Sequence, residues 1–204
     1  MFFWLFDILR QIFLDDVRHV DISFSPKHLT SHYTKELWKH HLDEIYVATE
    51  YVQIESHITR YKYFSERDCV DIFVDLLSKL WQKYDIFTTP NTLLVPVPMH
   101  WSRYFSRGFD HTAYIVRHLS KYVDIPYKKV LKARYTSHQS HLSRIKRLEN
   151  KKNSFKMNYS SSLPETVILF DDVISTGSTA DEAARALKAA WVKHVIWIFL
   201  ASNL

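Results

Sequence analysis

Three apolar runs govern what this chain can fold into: "LLVPVP" at residues 93–98, "TVILF" at 166–170 and "HVIWIFLAS" at 194–202. None of them alternates with polar residues. A strand that is apolar at successive positions is buried on both faces, the situation of a strand inside a largely parallel sheet with helices on either side. Helical spacing fills the gaps, from about Asp110 to Tyr122 and through "STADEAARALKAAWVK" at 178–193. Shorter strands are expected in "VLKAR" (130–134) and "NSFKM" (153–157). From residue 93 the order is strand, helix, strand, strand, strand, helix, strand. The expected fold class is therefore α/β: a mostly parallel twisted sheet flanked by helices, with a small N-terminal hood or flanking element.

The first ninety residues are less regular. Residues 1–45 read as helical and irregular, and "EIYVATEYVQ" (44–53) as one or two short strands. "CVDIFVDLLSKLWQKYD" reads as a helix through Val70, Phe73, Leu76, Leu77 and Leu80. The opening "MFFWLFDILRQIFL" carries Asp7 and Arg10, so it is too short and too charged to span a bilayer. It also lacks the basic start and small-residue cleavage site of a signal peptide. It reads as an amphipathic helix packed on the domain, with peripheral membrane contact as the alternative. Cys69 is the sole cysteine, which excludes an internal disulfide and a cysteine-rich zinc cluster and suits a reducing cytoplasm. The expected division is 1–89 as hood region and 90–204 as core.

The chain has only two glycines, Gly108 and Gly177, in 204 residues. Glycine kept where it is so scarce marks a backbone that needs φ > 0. Gly177 lies in "FDDVISTGSTAD", where Asp171 and Asp172 end an apolar run and Ser175-Thr176-Gly177-Ser178-Thr179 leads into a helix. Unpaired N–H groups at a helix N-terminus face outward and bind anions, and the surrounding hydroxyls add donors. That stretch is a phosphate cradle, and it lacks the lysine of a nucleotide-triphosphate loop. Paired carboxylates beside it can accept from two neighbouring hydroxyls, as on a ribose, or support magnesium through water. A sugar 5′-phosphate meets both requirements. The competing readings are a solvated strand end, plain turn chemistry, and a receiver-type phosphorylation site, which would normally lie near the start of its domain.

"VILFDDVISTGST" resembles the 5-phosphoribosyl-1-pyrophosphate (PRPP) signature of type I phosphoribosyltransferases. "PVPMHWSRYFSRGFDHT" and "ARYTSHQSHLSRIKRLENKKNSF" resemble two further segments of the ComF family within that group. The resemblance implies that Asp171 and Asp172 bind the ribose hydroxyls and that Ser175, Thr176, Gly177, Ser178 and Thr179 hold the 5′-phosphate. Met99, His100 and Arg103 would face the pyrophosphate, with Arg107 and Gly108 beside them. Arg134 to Arg147 would be a loop closing over PRPP, with Arg134 and Arg147 as its catalytic cations. It implies Mg²⁺ held mainly through PRPP and water, and phosphoribosyl transfer to an unidentified acceptor. The alternative is a non-catalytic protein of DNA uptake or recombination that binds PRPP, single-stranded DNA or protein partners. A homodimer is also compatible with the resemblance.

The sequence departs from that family in three places. The family's N-terminal zinc cysteines are missing, and His19, His28, His32, His40 and His41 lack an evident thiol or carboxylate partner, so no protein-bound metal is expected. Arg107-Gly108-Phe109-Asp110-His111 stands for R-G-F-N-Q: Asp110 still suits a helix N-cap, while His111 is expected to alter a hydrogen bond either to substrate or to the sheet, which leaves the acceptor site open. Trp191 stands where the family commonly ends a helix with glycine, a left-handed position that rejects bulky residues. A stop codon read as glycine would explain this and the glycine shortage together, and the codon at position 191 decides it. Finally, residues 128–156 hold ten Lys or Arg against Glu149 alone. That charge suits a PRPP loop, a solvated face or a nucleic-acid backbone.

Overall fold

The computed structural model describes residues 22–29, 41–86, 91–99, 104, 105, 107–134, 154–159, 162–175 and 177–203. In chain order the strands are β1 (Lys27–Leu29), β2 (Glu44–Glu50), β3 (Thr92–Pro96), β4 (Leu131–Ala133), β5 (Phe155–Met157), β6 (Thr166–Ile174) and β7 (His194–Ser202). The helices are α1 (Tyr51–Tyr63), α2 (Cys69–Tyr84), α3 (His111–Val123) and α4 (Ser178–Lys188). Five strands form one sheet in the order β1-β2-β7-β6-β3, and β4 and β5 form a separate two-stranded ribbon. β2, β7, β6 and β3 are mutually parallel, and β1 joins the edge antiparallel to β2. This is the expected α/β class.

The apolar runs are buried on both faces, and the two-residue period sorts their side chains. Ile168, Phe170, Ile196, Ile198 and Leu94 join a core with Tyr61, Phe73, Ile115 and Leu119 of α1, α2 and α3. Val167, Leu169, Val195, Trp197 and Val95 join a second core with Ala183, Leu187 of α4 and Phe155 of the ribbon. Emptying either layer would destabilise strongly: truncating a fully buried Phe170 to alanine costs about 3–5 kcal/mol.

Two N-terminal expectations are corrected. The segment 44–53 is one strand followed by helix, because Ile54, Ile58 and Tyr61 bury a helical face from Tyr51 onward. Within 1–45, residues 27–29 are a strand, held by pairing Lys27–Leu29 with Ile45–Val47. The opening segment 1–21 lies outside the described residues. No helix among the described residues is long and apolar enough to cross a membrane.

The connections leaving β3 and β6 diverge. β3 passes through α3 on the first core's face, and the chain returns at Tyr127, which bridges Leu94 in parallel. β6 passes through α4 on the opposite face to β7 on its other side. Opposite directions with opposite faces are what a common right-handed crossover demands. The gap between the tips of β3 and β6 is thus a topological switch point, where parallel sheets bind ligands.

α4 ends sooner than the sequence pattern suggests, in a turn spanning 187–192. Val192 N donates to Leu187 O at 3.2 Å and Trp191 N to Lys188 O at 3.0 Å, the bond pair of a Schellman motif. Leu187 and Val192 are buried together, as that motif prefers. Its left-handed residue is Trp191, at φ 68° and 90% exposed. The indole gains no burial to offset its strained backbone. Trp191→Gly is expected to stabilise the fold by about 1 kcal/mol, raising Tm by roughly 2–4 °C in a thermal melt. An unchanged or lower Tm would contradict this.

Candidate functional site

β6 carries the site on its carboxyl end because its apolar run stops at Phe170 while its pairing with β7 continues to Ile174. Asp171 and Asp172 are therefore fixed on a ladder. Asp172 N donates to Asp171 Oδ1 at 2.9 Å, and Val173 N donates to Asp172 Oδ1 at 2.8 Å. Next to them Val97 N donates to Phe170 O at 2.9 Å and locks the tip of β3 against β6.

Gly177 is the N-cap of α4 at φ 60°, and as a glycine it has no side chain to cap the helix. Its first N–H groups are thus open to an anion. Gly108 also has positive φ, 74°, and a Cβ there would meet nothing within 4 Å. Its requirement is conformational: it turns the chain from Tyr104, whose carbonyl accepts its N–H at 2.8 Å, into α3. Asp110 caps α3, accepting from Ala113 N at 3.1 Å.

A cavity of about 400 Å³ opens at the switch point. Of the expected residues, Met99, Arg107, Arg134, Asp171, Asp172, Ser175 and Thr179 line it. Gly177 and Gly108 do not line it, and each holds a positive-φ turn beside residues that do. Ser178 begins α4, and its side chain is outside the described part. His100, Arg103, Arg147 and Thr176 lie outside the described residues, as does most of the basic segment from 135 to 153.

Two further residues reach its centre: His111, which the sequence marked only as a changed hydrogen bond, and Lys62, which it did not mark at all. His111 Nε2 lies 3.1 Å from Asp172 Oδ2 and Lys62 Nζ makes an ion pair with the same oxygen. Arg107 Nη1 lies 3.1–3.3 Å from the imidazole nitrogens, and its guanidinium stands 5.3 Å over the Tyr63 ring. Tyr61 OH donates to His111 O at 2.9 Å. A neutral imidazole that donates from Nε2 to Asp172 and accepts from Arg107 at Nδ1 fits these contacts. His111 thus bonds the second acid, which resolves what replaces the expected glutamine there. Lys62 left no sequence signal: a lysine near a helix end is normally solvated.

The two acids are electrostatically unlike. Burial alone would push Asp172 up, but the hydrogen bond from His111 and the charge of Lys62 hold it well below the ordinary carboxylate range. Burial, and then the charge of Asp172, push Asp171 well above that range. The pair therefore carries about one negative charge near neutrality. Elsewhere His41 Nδ1 bonds Asp181 Oδ1 at 3.0 Å, and His28 stacks on Tyr46 at 4.4 Å. No group of three or more potential metal ligands occurs among the described residues. Burial raises the Cys69 thiol to about 11, which leaves it protonated and unreactive.

The sign for Asp171 follows from linkage. The folded state holds its proton more tightly than the unfolded chain, so stability falls as pH rises from about 4 through the raised folded value. Asp172 acts oppositely: its contribution is complete above about pH 4 and is lost as pH falls. Asp171→Asn should flatten the loss above pH 4 and be more stable than the parent at pH 8, by roughly 1 kcal/mol. Urea melts of both proteins at pH 5 and pH 8 check this, and equal differences at the two pH values would refute it.

No protein-family model matches the chain. Competence protein F of Haemophilus influenzae is 34% identical over 109 residues, 51% of this chain and 48% of that protein. DNA utilization protein YhgH of Escherichia coli is 33% identical over 99 residues, 46% of this chain and 42% of that protein. Competence protein ComFC of Streptococcus pneumoniae is 25% identical over 142 residues, 70% of this chain and 60% of that protein. The chain spans about half the length of the first two relatives. Adenine phosphoribosyltransferase from Leishmania donovani is similar in structure, with a TM-score of 0.42 and 12% identity over 78% of this chain and 84% of that one. The chain is a distant homologue of competence protein F, ComFC and YhgH.

Proposed function

We propose that the cavity binds PRPP with Mg²⁺ and that the protein transfers the phosphoribosyl group to an acceptor not yet identified. The observation that carries this reading is the convergence of a carboxylate pair, an uncapped helix N-terminus and arginines on one cavity. Each part answers one part of the ligand. Asp171 and Asp172 accept from the ribose hydroxyls. The α4 N-terminus with Ser175 and Thr179 takes the 5′-phosphate. Arg107 and Arg134, with Met99 at the tip beyond β3, face the pyrophosphate. The ribbon β4–β5 brings Arg134 into the cavity.

The donor set suits a metal ion brought by the ligand. Asp172 is already paired with Lys62 and His111, so the two acids do not offer an open chelate. Mg²⁺ prefers to keep waters and phosphate oxygens, and Asp171 would meet it through water. When bound, it would offset charge on the pyrophosphate.

In the transfer, the C1–O bond breaks with its electron pair leaving on pyrophosphate, and the acceptor bonds to C1. Negative charge grows on the leaving group, where Arg107 and Arg134 stabilise it. Positive charge grows on the ribose ring, beside the anionic Asp172.

The names of the relatives support a second reading, in which the protein serves DNA utilisation or competence and binds PRPP or single-stranded DNA without transfer. Titration calorimetry with PRPP and Mg²⁺ tests both PRPP-dependent readings, and pyrophosphate release separates transfer from binding alone. Binding is expected, with Asp172→Asn weakening it about 10- to 100-fold. Pyrophosphate release with a nucleobase or amine, abolished in Asp171→Asn, supports transfer. Absence of PRPP binding at millimolar concentration would defeat both PRPP-dependent readings. Salt-sensitive retention on single-stranded DNA that survives Asp171→Asn would favour the nucleic-acid role.

A further inference from the structure

Lys62 occupies a place that a bound sugar needs. Its ammonium meets Asp172 Oδ2, the oxygen that His111 Nε2 approaches at 3.1 Å, while Asp172 Oδ1 accepts from Val173 N at 2.8 Å. Three of the carboxylate's roughly four acceptor positions are therefore taken. Its side chain is only 12% exposed, with Lys62 itself lining the cavity. One acceptor position is left on Oδ1, so a hydroxyl that is to bond Oδ2 from the cavity needs one of the two donors there to move.

His111 is the donor that stays. Its side chain is 5% exposed, its carbonyl accepts from Tyr61 OH, and Arg107 lies against its ring. Lys62 stands near the C-terminal end of α1 on a flexible stem of four carbons, 15% exposed. It can swing away from Asp172 and remain inside the cavity. Once displaced, it is a desolvated cation in need of a new anion. A sugar phosphate whose only phosphate sits on the α4 N-terminus gives it none. A ligand with a second anionic group on the far side of the sugar gives it one.

We propose that Lys62 is an exchangeable counter-ion, leaving Asp172 when a sugar diol binds and moving onto the ligand's pyrophosphate. The inference rests on the phosphoribosyl reading and adds a selectivity to it. The site discriminates against ribose 5-phosphate and in favour of the same sugar carrying a diphosphate at C1. Lys62 is thus a specificity-determining residue contributed by the N-terminal half of the chain.

The test compares affinities for PRPP and for ribose 5-phosphate, each with Mg²⁺, in the wild type, Lys62→Met and Lys62→Arg. Lys62→Met should weaken PRPP and tighten ribose 5-phosphate, lowering the preference for PRPP at least tenfold. Lys62→Arg, which keeps the charge, should hold the preference within about threefold. If PRPP binds but the preference is unchanged in Lys62→Met, the counter-ion role is wrong and the phosphoribosyl reading stands. If the wild type binds neither ligand, the phosphoribosyl reading falls and takes this inference with it. A readout on the wild-type sequence guards against a variant that fails to fold. After reductive ¹³C-methylation of lysines, the Lys62 NMR signal, identified by its absence in Lys62→Arg, should shift at saturating PRPP. A stationary signal overturns the proposal.

Discussion

A carboxylate buried at a strand tip has to be compensated, and the way Asp172 is compensated ties this molecule together. Its partners come from α1, in the N-terminal half, and from the first turn of α3. The strand that carries it is the middle partner between β7 and β3. Removing one partner from such a cluster leaves a charge without compensation, which is far more damaging than never having built the pair. The site is consequently a junction of the fold. The packing of α1 on the sheet, through Ile54, Ile58 and Tyr61, also positions the cation that defines its electrostatics.

The same junction explains what could be read in the sequence and what could not. β6, α4 and β7 were legible because their signals are local: an unbroken apolar run, a helical period, another run. Asp171, Asp172 and Gly177 were legible for the same reason, since strand tip, turn and helix start are consecutive. Lys62 and His111 meet Asp172 across 110 and 61 positions of chain; the segment around His111 marked a changed hydrogen bond without its partner, and nothing near Lys62 announced the contact. The segment 44–53 failed more simply. β-branched and aromatic residues favour strands, yet Tyr51 onward buries a helical stripe, and burial outweighs propensity. β1 was missed because a three-residue edge strand has no period to detect.

Glycine use follows a single rule in this chain. Both glycines have positive φ, one opening α4 and one turning into α3. Ser65, Asp85, Asp124 and Trp191 also adopt positive φ. Asp85 and Asp124 close α2 and α3, and a short polar side chain tolerates that conformation. Trp191 has no such excuse. The turn after α4 is set by the Leu187–Val192 contact and two backbone bonds, so it forms whatever residue stands at its left-handed position. The strain is local, and the strand β7 that follows keeps its full register with β6.

The division between the two acids is itself a consequence of position. Successive residues of a strand face opposite ways, so adjacent carboxylates at a tip meet different surroundings. Asp172 meets the Lys62 ammonium of α1 and the His111 ring N–H of α3 and remains an anion. Asp171 gains less from them, and burial first, then its neighbour's charge, push it toward the neutral form. Had both been equally paired, the cavity would carry two full charges and would attract a bare metal ion strongly. Had neither been paired, both would be pushed toward the neutral form. The asymmetry leaves one fixed anion at the tip of β6 and one carboxyl that burial and that anion hold toward the neutral form. A cation brought closer to Asp171 would lower the cost of ionising it, as Lys62 already does in part.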